Sequence, residues 1–105
     1  MVTNYERGRS FEYKVIKYLE EKGAYCIRSS GSHKVCDIIA IFRNGIINFI
    51  QCKNNGKISK EEMNKIKNFM QKYKQIVTLY WQEKVDNKYH MKAKDLGYYI
   101  IKNDN

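Results

Sequence analysis

Residues 35–53 read V-C-D-I-I-A-I-F-R-N-G-I-I-N-F-I-Q-C-K. Two apolar runs, 38–42 and 46–50, flank Arg43-Asn44-Gly45. Asn-Gly between β-branched runs is the strongest short-range signal for a β-hairpin. In a hairpin the start of the first strand lies beside the end of the second. Asp37 is thereby brought next to Gln51 and Lys53. Side chains alternate across a strand, so Gln51 and Lys53 share one face and Cys52 takes the other. The expected product is a group of oxygen donors, with an ammonium beside it, at one end of a sheet.

On the N-terminal side of this hairpin, residues 4–22 read as a helix. Phe11, Val15, Tyr18 and Leu19 recur at helical spacing and form one apolar stripe. Thr3 or Asn4 is the expected N-cap, and Gly23 a natural stop. Glu12 borders the buried face, with Gly8 one turn below it. A small residue there leaves room for a phosphate or another backbone. A lone helical glutamate is ordinarily a surface charge, so Glu12 gains meaning only from Asp37. Residues 24–29 read as a first strand. Ser30-Gly31-Ser32-His33-Lys34 then forms a polar loop equipped to contact phosphate, or simply to turn. Nothing orients His33 as a base, so it reads as an exposed loop histidine.

On the C-terminal side, residues 54–58 form a turn. Ser59 and Glu62 make a capping box for a helix over 60–73. Met63, Ile66, Met70 and Tyr73 supply its apolar stripe. Lys60, Lys65, Lys67, Lys72 and Lys74 face outward, either to solvent or to a nucleic-acid backbone. Residues 75–81 read as a buried strand, and Asp86-Asn87 as the turn of a second hairpin leading into 88–92. Residues 94–97 read as a helical turn, and 98–101 as a short last strand or docking segment. The order is helix, three strands, helix, strand. The fold class is α/β, with helices packed on a mixed sheet.

At 105 residues the chain is expected to be one domain with a single core. A hydrophobic fraction of 43% argues against disorder. A net charge of +9 implies a polyanionic partner, with nucleic acid first and an anionic membrane surface second. The three cysteines, Cys26, Cys36 and Cys52, have no CxxC spacing and fall in apolar runs. They read as buried reduced thiols of an intracellular protein, not as a zinc site. The opening residues do not read as a signal peptide, and no apolar run approaches transmembrane length.

The hairpin end suits a hard divalent cation. Mg²⁺ prefers oxygen ligands and keeps several waters. Asp37 offers a carboxylate, Gln51 an amide oxygen and Cys52 its carbonyl. Glu12 completes the set from the helix. A metal so held activates a bound water and neutralises a phosphodiester in transit. Lys53 would orient that water or stabilise the developing charge. Together these parts specify phosphodiester hydrolysis. Singly, each has a bland alternative: a polar strand end, or a capped turn.

Asp37-Ile38-Ile39-Ala40 followed, across a hairpin, by Gln51-Cys52-Lys53 resembles the PD-(D/E)xK nuclease superfamily. Gly8-Arg9-Ser10-Phe11-Glu12, and Arg28 with Gly31-Ser32 ahead of the aspartate, look like the archaeal Holliday junction resolvases and their viral relatives. The resemblance implies a restriction-endonuclease-like core. It matches Glu12, Asp37 and Gln51 to the metal-binding acidic positions, Lys53 to the catalytic lysine, and Ser32, less closely Ser30, to a loop serine near the scissile phosphate. Arg9, Arg28, Ser30, Ser32 and Lys34 become the expected DNA contacts. It further implies Mg²⁺, with Mn²⁺ as a substitute, a homodimer, branched DNA as the partner, and action in the cytoplasm, including that of a virus-infected host. Three positions depart from the pattern. Gln51 replaces a carboxylate and removes one negative charge. Cys36 stands where the motif has proline, and Tyr13 where the resolvases place arginine.

Two other readings stay open on sequence. One is a nickase or restriction-like endonuclease of the same fold. The other is a DNA-binding protein or nuclease inhibitor that kept the fold without activity, for which Gln51 is the supporting feature.

Overall fold

The computed structural model describes residues 3–29 and 35–97. Helix α1 (Asn4–Glu21) leads into β1 (Tyr25–Arg28), β2 (Ile38–Ile41) and β3 (Ile47–Cys52). Helix α2 (Lys60–Tyr73) follows, then β4 (Val77–Val85) and β5 (Lys88–Leu96). The strands form one five-stranded sheet in the order β1-β2-β3-β4-β5. Only β3 and β4 run parallel; the other neighbours are antiparallel. A parallel pair needs a crossover, and α2 is that crossover.

The Asn-Gly hairpin forms as the sequence predicts. The Phe42 N–H donates to the Ile46 carbonyl at 2.9 Å, and the Asn44 side chain accepts from the Ile46 N–H at 3.0 Å. Gly45 adopts φ +89°, where a side chain is strained. The second hairpin turns at Asp86 and Asn87, both left-handed, which matches the twist of the flanking strands.

Each helix buries its own face of the sheet. Phe11, Val15 and Leu19 of α1 pack with Ile38, Ala40 and Ile50. Ile66 and Met70 of α2 pack with Val77, Leu79 and Leu96. Period-2 alternation explains the split: Ile50 points to α1 while Phe49 points to the α2 side. Both stripes are narrower than their sequence pattern. Tyr18 and Tyr73 are exposed, because a tyrosine at a stripe margin keeps its hydroxyl in water. Lys22 covers the Tyr18 ring at 4.9 Å.

The helical turn expected at 94–97 does not form. Lys94, Asp95 and Leu96 continue β5, paired with Leu79, Thr78 and Val77. Thr78 donates its hydroxyl to Asp95 at 2.8 Å, and Leu96 is buried against α2. That long-range pairing overrides the local turn preference of Asp-Leu-Gly. The segment 98–101 lies outside the described residues. Among the cysteines Cys36 is buried, while Cys26 and Cys52 are half-buried; none of the three is in a disulfide.

Candidate active site

The open end of the β2–β3 hairpin collects side chains from four elements. Asp37 precedes β2 and is pinned by its backbone. Its N–H donates to the Ile50 carbonyl at 2.8 Å, and its carbonyl accepts from the Ser29 N–H at 2.7 Å. Its side chain then accepts from the Cys52 N–H at 2.8 Å. Cys52 therefore serves the site first through its amide, which fixes the carboxylate expected to bind metal.

Glu12 enters from α1. The Arg28 Nε of β1 donates to its carboxylate at 3.0 Å, and the Arg28 guanidinium lies 5.2 Å from the Tyr13 ring centroid. Partial burial, then the negative charge of Asp37, hold the Glu12 carboxyl above its ordinary range; the Arg28 bond pulls the other way and is outweighed. Burial likewise raises Asp37. The Cys52 N–H, Lys53 and Arg28 pull it down, and Glu62 pushes it up. Burial and these same two carboxylates push the Cys52 thiol far up, so it stays protonated. The two acids thus sit in electrostatic contact, at a cost that a cation would relieve.

Gln51 and Lys53 lie on the α2 face of β3, as alternation from Phe49 requires. Gln51 is 8% exposed. Among the described residues no side-chain nitrogen or oxygen is buried without a partner. Lys53 forms an ion pair with Glu62 in the first turn of α2. The Glu62 carboxyl is somewhat desolvated, but bonds from Lys53 and the Ser59 backbone bring it below its ordinary range. In the sequence Glu62 reads only as half of a capping box. Its second role was signalled by chain order: a crossover helix starts at the C-terminal end of the strand before it, so its first turn lies above that strand's end.

A cavity of about 450 Å³ opens beside these groups, lined by Arg7, Gly8, Cys52, Lys53, Asn54 and Asn55. Arg7 and Asn54 were not singled out by the sequence; only their position at the mouth of the site marks them. A Cβ added at Gly8 would meet nothing within 4 Å, so no intramolecular packing demands this glycine. Gly56 is different: a Cβ there would lie 3.0 Å from the Trp81 ring.

Of the expected DNA contacts, Arg9 is exposed on α1 and Arg28 is engaged with Glu12. Ser30, Ser32 and Lys34 lie outside the described residues, as does His33. Lys60, Lys65, Lys67, Lys72 and Lys74 are exposed along α2.

The donor set fits a hard cation. Among the described residues no three His, Cys, Asp or Glu side chains cluster closely enough to hold a metal. Mg²⁺ needs only one or two carboxylates, however, and takes water for the rest. Asp37 and Glu12 would supply two, with the Gln51 amide and the Cys52 carbonyl as the expected neutral oxygens from the end of β3.

A mixed sheet between two helices, with an acid, an amide and a lysine at the end of its central hairpin, is the architecture of a nuclease core. The sequence model of the archaeal Holliday junction resolvase (Hjc) family matches residues 3–104, and the chain belongs to that family. It is similar to the crossover junction endodeoxyribonuclease Hjc of Methanocaldococcus jannaschii, with 39% identity over 69 residues. That match covers 62% of this chain, and the chain spans about half (50%) of the relative's length. No described helix is long and apolar enough to cross a membrane.

Proposed function

We propose that residues 1–105 act as a single nuclease domain that resolves four-way DNA junctions by metal-dependent phosphodiester hydrolysis. The carrying observation is the Asp37 carboxylate, fixed by the Cys52 N–H in electrostatic contact with both Glu12 and Lys53. Asp37 and Glu12, with the Gln51 amide and the Cys52 carbonyl, hold Mg²⁺ or Mn²⁺. The ion supplies Lewis acidity and an activated water. Lys53 bears on the phosphate oxygens, and Ser32 contacts the same phosphate. Arg9, Arg28, Ser30, Ser32 and Lys34 hold the DNA backbone, and Gly8 leaves it room. Contacts of this kind read junction shape more than base sequence.

The acting form is a homodimer. The register aligns Tyr25 with Ile41, Ile41 with Ile47, and Ile27 with Ile39, all on the α2 side of the sheet. Tyr25, Ile27, Ile41 and Ile47 are exposed there, next to a groove of about 580 Å³ lined by Ile39, Phe49, Phe69 and Tyr73. An apolar face of this kind suits a protein partner, not DNA. A two-fold pair of sites suits a substrate with two equivalent strands. The protein works in the cytoplasm, where its free thiols stay reduced.

A cleavage panel tests the substrate. With Mg²⁺, a mobile four-way junction should be cut symmetrically, ahead of flap, plain duplex and single strand. Equal cutting of plain duplex would move the assignment to a restriction-like enzyme, and binding without cutting under either metal to an inactive DNA-binding protein.

A further inference from the structure

Lys53 and Glu62 are joined by an ion pair that links the end of β3 to the first turn of α2. The Glu62 carboxylate is divided between two partners. One oxygen accepts the Ser59 N–H at 3.4 Å, closing the capping box, and the other meets the Lys53 ammonium. A carboxylate held on one side by backbone has little freedom on the other. It therefore fixes the end of a long, flexible lysine side chain.

The neighbouring acids make their hydrogen bonds to other groups, although the charge of Asp37 also reaches Lys53. Asp37 accepts from the Cys52 N–H, and Glu12 from Arg28. Position 51 shares a face with Lys53 and is where a carboxylate would compensate its charge, but Gln51 is neutral. Resting on the nuclease reading above, we propose that Glu62 is the positioning residue for Lys53: it supplies from α2 the negative charge that Gln51 does not supply from β3. Its field also reaches Asp37.

A helix cap alone would have a different signature. Glutamine serves in a capping box as glutamate does. Glu62→Gln therefore keeps the helix start and removes only the charge, and thermal unfolding should confirm that the variant folds. The rate at saturating junction DNA should fall on the order of 10–100-fold, the scale of a misplaced reacting group, with KM nearly unchanged. Adding Gln51→Glu to Glu62→Gln should restore most of the loss, because the charge returns beside Lys53 by the other route. Side-chain NMR of the Lys53 ammonium in metal-free protein gives a readout independent of cleavage: ordered in the wild type, averaged in Glu62→Gln. Wild-type cutting by Glu62→Gln, no rescue by Gln51→Glu, or equal ammonium order in both proteins overturns the proposal. If the wild type cuts no DNA, the nuclease reading fails, and the NMR comparison alone decides whether Glu62 positions Lys53.

Discussion

The two ends of the β2–β3 hairpin are made of the same strands and built on opposite terms. At the turn end, Phe42, Asn44, Gly45 and Ile46 satisfy one another through bonds of 2.9–3.0 Å within the loop. At the open end, Asp37, Gln51 and Lys53 meet Glu12 from α1, Arg28 from β1 and Glu62 from α2. The first end is local and satisfied. The second is assembled over long sequence distances, and it holds two carboxyls above their ordinary range. Local hydrogen bonding closes one end of the strand pair, and partly desolvated charge gathers at the other.

Four substitutions probe that division. Asp37→Asn should have the largest effect. Its amide oxygen still accepts the Cys52 N–H, but metal-dependent cleavage should fall by about 10³-fold or more, the scale of losing a principal charged group of a site. It should also raise the melting temperature at neutral pH. A carboxyl whose folded pKa is raised binds more protons folded than unfolded, so folding loses stability as pH rises through that window. The variant escapes this loss, so its thermal advantage should vanish below about pH 3.8, the group's ordinary value, and shrink when Mg²⁺ stabilises the wild type. A variant no more stable than the wild type would break the contrast between the ends.

Lys53→Met should slow cleavage by about 10²–10³-fold, the usual loss for one charge-stabilising group, with little change in junction affinity. Single-turnover rates beside gel-shift titrations separate the two. At the turn end the pattern should reverse. Gly45→Ala forces a side chain into the left-handed region and should cost about 1–2 kcal/mol in urea unfolding, while the rate per folded molecule holds. The smallest effect belongs to Gly8→Ala. Replacing a helical glycine should add about 0.5–1 kcal/mol of stability, and the added methyl should weaken junction binding.

The same division explains what could be read from the sequence. Asn44-Gly45 carries its turn in two residues, and the hairpin it makes brings Asp37, Gln51 and Lys53 together. Ser59 and Glu62 likewise announce their cap, and both bonds of the capping box form. Features set by partners distant in sequence were hidden. Residues 94–96 became strand because β4 was there to pair with them. Glu62 gained its bond to Lys53, and Arg28 its bond to Glu12, only when separate elements met. Tyr18 and Tyr73 fit an apolar period but sit at its margin, where an amphipathic ring faces water.

The role of Asp37 is decided by cutting of a mobile four-way junction in Mg²⁺ by wild type and Asp37→Asn, with the cut sites mapped on all strands. Paired, symmetric cuts are expected from the wild type and none from the variant, which still binds the junction. Undiminished cutting by Asp37→Asn would contradict that role.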